Sequence, residues 1–392
     1  MAGRALAGQL NAAPRARRRA SAPWSFRLAE PGDDAAARRL LREAPMDGAV
    51  RLRLECEPSF TGAAAVMGDR HQTLLACEPG GRVIAVACRA ERAAFSNGSQ
   101  TRLAYLSHLR VHRDFRGSPR LLLRGFDEIR ALHEHEGGAP LSFASVMSDN
   151  AEALRILTAA RGGLPRCRDL GAFATLILRS SPRRARSDGP AVRRGAPEDL
   201  ERIAALLCAR YRALQLAPRW TARDLESDVR TPDLRADDFL LVERGDELVG
   251  CAAVWDQRGF KQSVVDGYAR PLGAARPAWN ALARWTGAPR LPRPGAALAQ
   301  AFLSHIALPA DAREAEPVAV ALVSAARRAA HARGIDLLAL GLAAAHPLLA
   351  TLRRRFRPRE LEARLLLHFW PGGEAAARAL DDRLPHVEVA TL

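Results

Sequence analysis

Residues 103–130 read LAYLSHLRVHRDFRGSPRLLLRGFDEIR, and their patterning decides the fold. An apolar run ends at Val111, a polar turn carries Arg116, Gly117 and Ser118, and Leu121, Leu122, Phe126 and Ile129 then recur at helical spacing. A strand that empties straight into a helix leaves backbone N–H groups unpaired at the helix start. Those donors, the helix dipole and the flanking guanidinium groups of Arg116 and Arg120 make a seat for phosphate oxygens. The chain is therefore expected to hold a phosphorylated cofactor at this turn.

Working outward, the surrounding sequence occurs twice. FRLAEPGDDAAARRLL, from Phe26, matches VRRGAPEDLERIAALL, from Val192, each running from a short strand through a Pro-x-Asp turn into a helix. GRVIAVACRAE, from Gly81, matches DELVGCAAVWD, from Asp246. YLSHLRV, from Tyr105, matches FLSHIAL, from Phe302. Three matches in one order point to duplication of a single supersecondary plan. Residues 181–191, rich in Pro, Ser and Arg, read as the linker between the copies.

The expected organisation is a basic, disordered tail over 1–23, with a transit peptide as the alternative, then a first domain over 24–180. A second domain follows over 192–371, with an insertion at 258–297, and a C-terminal tail over 372–392. Each copy should be a mixed, mostly antiparallel sheet flanked by helices, an α/β (α+β) class. The insertion carries Tyr268, Trp279 and Trp285, and is expected either to pack over the first domain and shape an acceptor pocket or to serve as core packing.

Composition narrows the function classes. At 392 residues and 48% hydrophobic content the chain suits two globular domains, and no uncharged apolar run is long enough for a membrane span. The net charge is +16, yet Lys261 is the single lysine among 59 basic residues, a bias that a GC-rich genome produces as readily as an anionic partner. Six cysteines, at 56, 77, 88, 167, 208 and 251, show no metal-ligand spacing and read as reduced thiols of a cytoplasmic protein. The run His133-Glu134-His135-Glu136 sits at a helix end with its histidines on different faces, so no metal is expected there.

Taken together, the strand ending at Val111 with Arg116-Gly117-Ser118-Pro119-Arg120-Leu121, and Asn150 with Ala153, Ile156 and Leu157 downstream, resemble the GNAT superfamily of acyl-CoA-dependent N-acyltransferases. The resemblance spans most of residues 25–180 and, more weakly, 190–370. It implies a tandem GNAT-like protein whose first copy binds acetyl-CoA, or another acyl-CoA, and transfers the acyl group to a small-molecule or peptide amine. Cofactor contacts would then come from Leu109, Arg110, Val111, Arg116, Gly117, Ser118, Pro119, Arg120, Leu121 and Asn150. Pro119 and Leu121 stand where the family prefers glycines, and Leu157 replaces a tyrosine that often protonates the departing thiolate. Tyr105 holds the position of a frequent glutamate base, which leaves Tyr105, Ser107 and His108 as candidate catalytic groups, with a structural role for the Ser-His pair as the competing reading. The second copy has Asp311, Glu314 and Glu316 at the equivalent of the phosphate seat and His346 in place of the asparagine, and is expected not to bind cofactor. Two rivals stand beside this reading: a non-enzymatic acyl-CoA-binding or scaffolding protein on the same fold, and, ranked last, a nucleic-acid-binding protein. No membrane partner is expected, and the oligomeric state is not read from the sequence.

Overall fold

The computed structural model describes residues 24–46, 48–136, 138–159, 163–183, 189–286, 288 and 290–392. The expected tail over 1–23 and the middle of the 181–191 linker lie outside the described residues. The first copy runs β1 (Ser25–Leu28), α1 (Asp34–Arg42), β2 (Val50–Glu55), α2 (Phe60–Ala65), β3 (Arg70–Cys77), β4 (Val83–Ser96), β5 (Ser99–Val111), α3 (Pro119–Glu136), β6 (Leu141–Met147), α4 (Ala151–Thr158) and β7 (Arg166–Arg179). The second runs β8 (Arg193–Arg194), α5 (Leu200–Tyr211), α6 (Ala222–Leu225), β9 (Phe239–Arg244), β10 (Glu247–Trp255), β11 (Gln262–Tyr268), α7 (Arg270–Thr286), β12 (Gln300–Ala307), α8 (Ala312–Ala332), β13 (Leu337–Ala343), α9 (Leu349–Phe356), β14 (Arg359–Phe369) and α10 (Glu374–Ala379).

Local chemistry explains why the copies fold alike. In the Pro-x-Asp turns the Asp33 carboxylate accepts from the Glu30 N–H at 2.8 Å, and that of Asp199 from the Ala196 N–H at 2.9 Å. Each aspartate also receives two guanidinium bonds from the strand before it, Arg27 at 2.5 and 2.7 Å and Arg193 at 2.6 and 2.8 Å. The same two-pronged contact therefore sets the entry to α1 and to α5. Asn97 and Gly98, both at positive φ (51° and 78°), close the long β4–β5 hairpin, the backbone such a two-residue turn requires.

The copies do not part at the linker. Twelve strands form one sheet in the order β1-β3-β4-β5-β6-β14-β7-β13-β12-β10-β9-β8. At its centre the last strand of each copy lies beside the other copy. β14 pairs with β6 (His368↔Ser142 through Ala363↔Met147), and β7 pairs with β13 (Leu337↔Arg179 through Ala343↔Phe173). β7 and β14 pair with one another between them. On one face a single apolar core joins Leu40, Phe60, Tyr105 and Phe143 of the first copy to Leu207, Trp220 and Trp255 of the second. On the other face α8 and α9 cover the second copy, and smaller clusters under α3 and α4 cover the first.

One segment differs from its expected form, and the insertion takes one of the two places expected for it. Residues 372–392 are not a tail: α10 packs on the sheet, and Val387, Glu388, Ala390 and Thr391 are buried between the copies. The insertion contributes β11, which pairs with β2 of the first copy (Gln262↔Glu55 through Tyr268↔Val50) as a separate two-stranded sheet, so it does lie against the first copy.

Candidate functional site

Strand β5 carries a bulge. Val86 faces Arg110 and Cys88 faces Ser107, so the single residue Ala87 on β4 stands against His108 and Leu109. The second copy repeats the count, with Ala252 of β10 against His305 and Ile306 of β12. His108 and His305 both take left-handed backbone, at φ 50° and 51°. An extra residue bends the bulged strand and re-aims the residues beyond it. β5 accordingly pairs with β6 only over Leu103–Tyr105, and β12 with β13 only over Gln300–Phe302, before each pair diverges. Beyond Tyr105 the edge of β5 that faces β6 has no strand partner among the described residues, and its backbone groups border a wedge-shaped cleft.

The turn at the mouth of this wedge has the exposure that its sequence implies. Arg116, Gly117, Pro119 and Arg120 are exposed, and Pro119 is the first residue of α3, where a missing N–H costs nothing. Gly117 sits at φ +76°, and a Cβ built there would meet no atom within 4 Å, so backbone rather than side chain faces the open space. Among the described residues no hydrogen bond engages the amides of Gly117 and Arg120, and no acid pairs with either arginine; Arg116 Nε donates to the Val111 carbonyl at 3.4 Å. Leu109 is 42% exposed on the strand above. Asn150 caps α4, its side chain accepting from the Ala153 N–H at 3.1 Å, and is itself exposed. Leu121 differs from the rest of the group: its side chain is buried against Ile84 and Ala85, so only its backbone faces the turn.

The second copy closes the corresponding places. Asp311 caps α8 by accepting from the amides of Arg313 (2.9 Å) and Glu314 (3.2 Å), so a carboxylate of the chain itself occupies the seat. Between β12, β13 and the helices a cavity of about 20 Å³ remains, lined by Leu303, Ile306, Leu308, Leu342, Leu348 and Leu352. A larger cavity of about 350 Å³ lies where β7 meets β13 and is lined by none of the residues singled out above.

The candidate catalytic groups sit at the bulge. Tyr105 is buried and stacks on Phe143 at 4.7 Å; burial pushes its phenol up, the wrong direction for a base. Ser107 Oγ lies 3.1 Å from His108 Nδ1 and donates to Met67 Sδ at 3.1 Å. Burial, with Lys261 and Arg110 adding like charge, pushes His108 down to about 3, so its imidazole is neutral and weakly basic. The twin pair, Ser304 and His305, keeps the same contact at 2.9 Å in the closed copy, its ring packed on Trp220. A constellation that recurs where the cleft is filled is explained by the bulge it holds.

From the sequence, Lys261 falls in the insertion expected to pack over the first domain, without a role at this site. It stands one step beyond the Gln262↔Glu55 pair, opposite Cys56, and its ammonium donates to the Leu392 carbonyl. Burial pushes Lys261 down to about 8, and the same burial pushes the Cys56 thiol up to about 11. The available signal was its being the sole lysine of an arginine-biased chain.

Behind the site the copies share a buried polar cluster. Arg92 donates to Thr391 Oγ1 at 2.8 Å, and the Glu388 carboxylate accepts from the His305 N–H at 2.8 Å. Burial pushes His305 down to about 3, His368 down to about 4 and Glu388 up to about 7. From pH 6.5 to 4.5 the unfolded chain gains two protons at these histidines relative to the fold and forgoes one at Glu388, a net gain of one. Stability should therefore fall on acidification through that window, by roughly 1 kcal/mol per pH unit near its middle, with the buried His108 and His386 adding in the same direction. Urea midpoints measured between pH 7 and 5 check this, and a flat profile would contradict it.

No protein-family model and no curated protein matches the sequence. Among solved structures, the N-myristoyltransferase of Saccharomyces cerevisiae, crystallised with bound myristoyl-CoA, is similar over 88% of this chain and 82% of its own, with 11% identity and a TM-score of 0.60. A GCN5-related N-acetyltransferase from Sphaerobacter thermophilus is similar over 94% of this chain and 99% of its own, at 13% identity and a TM-score of 0.54. These likenesses establish the fold: a GNAT fold in two tandem copies, as the resemblance of residues 103–130 implied.

Proposed function

We propose that the chain is an acyl-CoA-dependent N-acyltransferase of the GNAT superfamily, acting in the cytoplasm with acetyl-CoA as its donor and an amine as acceptor. The observation that carries this reading is the divergence of β5 from β6 beyond Tyr105 with an exposed, arginine-flanked helix start at its mouth, where Ser118 Oγ caps only the Leu121 N–H (3.4 Å), set against the apolar filling and Asp311-capped helix of the second copy. Backbone amides and the two guanidinium groups would receive the diphosphate. The unpartnered edge of β5 around Leu109–Val111 would place N–H groups at the thioester oxygen, where negative charge develops as the amine attacks. The nitrogen forms the amide as the C–S bond breaks; one proton leaves the ammonium and another reaches the thiolate. With Tyr105 and His108 poorly basic, the first of these protons passes to water in this reading, and Ser107 and His108 shape the bulge.

Isothermal titration should give one equivalent of acetyl-CoA bound per chain, and thiol release should appear with at least one member of a panel of small amines and peptide N-termini. Octanoyl- and myristoyl-CoA in parallel identify the acyl group. Absence of binding by any acyl-CoA overturns the reading. Binding without thiol release would favour an acyl-CoA-binding or scaffolding protein, the second reading, which the lack of a strong base at Tyr105 and His108 supports.

A further inference from the structure

Helix α7, inside the insertion, is amphipathic the wrong way round for a protein surface. Its inward side carries the polar groups: Arg276 Nε donates to the carbonyls of Leu291 (3.0 Å) and Pro292 (2.9 Å). Asn280 donates to the Leu291 carbonyl at 3.0 Å and accepts from its N–H at 2.8 Å. Its outward side presents Ala274, Ala278, Trp279, Leu282 and Trp285, with Trp285 89%, Leu282 58% and Trp279 39% exposed. Scattered apolar residues on a surface are ordinary, but two tryptophans and a leucine on one helix face form a contact patch.

The charge around the patch names what covers it. No acidic residue occurs between Asp266 and Asp311, while Arg270, Arg290 and Arg293 are exposed at the two ends of the helix. A second copy docked through the same face would bring these arginines against their equivalents, with no carboxylate of that segment to offset the repulsion. Anionic headgroups meet both requirements, since tryptophan favours the boundary between headgroup and acyl chain and arginine the phosphates above it. No helix among the described residues is long and apolar enough to cross a membrane. We propose that α7 lies flat on anionic bilayers and binds the protein peripherally to them, a partner class outside the expectations drawn from the sequence.

The test is co-sedimentation of the full chain with phosphatidylcholine vesicles and with vesicles mixed with phosphatidylglycerol. The wild type should pellet with the mixed vesicles, with a blue shift in tryptophan emission, and bind pure phosphatidylcholine at least about tenfold more weakly. Leu282→Ser with Trp285→Ser should weaken binding at least about tenfold while leaving the thermal melt unchanged, because both side chains face outward. Arg290→Glu with Arg293→Glu should weaken it selectively for the mixed vesicles. Wild type that stays in the supernatant with both vesicle types, or a serine variant that pellets like wild type, overturns the proposal. So does light scattering that shows a dimer abolished by the serine variant without any vesicle binding.

Discussion

Residues 24–183 expressed alone should give no cooperatively folded protein, and co-expression with residues 189–392 should restore a soluble complex of the two fragments. In the intact sheet β7 pairs with β14 and β13, both from the second copy, and among the described residues with no strand of its own. The first fragment would therefore keep a strand of fourteen residues with no ladder, and an uncovered edge on β6. Phe173, Leu176 and Leu178, all buried on β7, would lose their surroundings. Three such side chains represent about 5–9 kcal/mol of burial, comparable with the whole stability of an ordinary domain at about 5–15 kcal/mol. Gel filtration and circular dichroism melts of each fragment, alone and together, measure the effect. A monomeric 24–183 fragment with a sharp melt would show that the exchanged strands are not needed.

The exchange also marks what the sequence could and could not tell. The duplication was legible because its devices are local: a carboxylate that caps its own turn at Asp33 and Asp199, and a Ser-His pair at His108 and His305. Strand neighbours are not local. Alternation and apolar content fix which face a residue takes, and β7 and β14 are similarly apolar, so nothing in either says whether it closes its own copy or the other. Residues 372–392 misled for a related reason. Asp381, Asp382 and Arg383 give the stretch a charged centre, while Val387, Ala390 and Thr391 are buried only because two copies meet there.

The site divides along the same line. The turn from Arg116 to Arg120 lies within one strand-to-helix connection, so spacing alone was enough to find it. Lys261 reaches Cys56 only through the β2–β11 pairing, which joins residues some two hundred positions apart, and no periodic pattern announces such a contact. The two histidines had closely matching sequence surroundings. What separates the copies is the content of the wedge: Ile306, Leu308 and Leu348 fill one, whereas Leu109, the counterpart of Ile306, is exposed in the other.

Arg116→Glu combined with Arg120→Glu should raise the dissociation constant for acetyl-CoA by about a hundredfold or more. A charge-assisted contact to phosphate is worth about 1.5–3 kcal/mol, and reversal replaces attraction by repulsion; because both side chains are exposed, screening by solvent and salt reduces the effect from the upper end of that range. Neither arginine supports the fold through an ion pair with a described acid, so the melting temperature should move by no more than about 2 °C. The wild type should lose affinity as salt rises, and the variant, already deprived of the cations, should respond much less. Asp311→Asn provides the complementary control. The amide keeps capping α8 but takes the negative charge from the seat, and the apolar side chains stay in the wedge, so the number of bound equivalents should stay at one. If the double reversal bound acetyl-CoA as tightly as wild type, the phosphates would have to sit elsewhere, and the divergence of β5 from β6 would lose its meaning as a donor site.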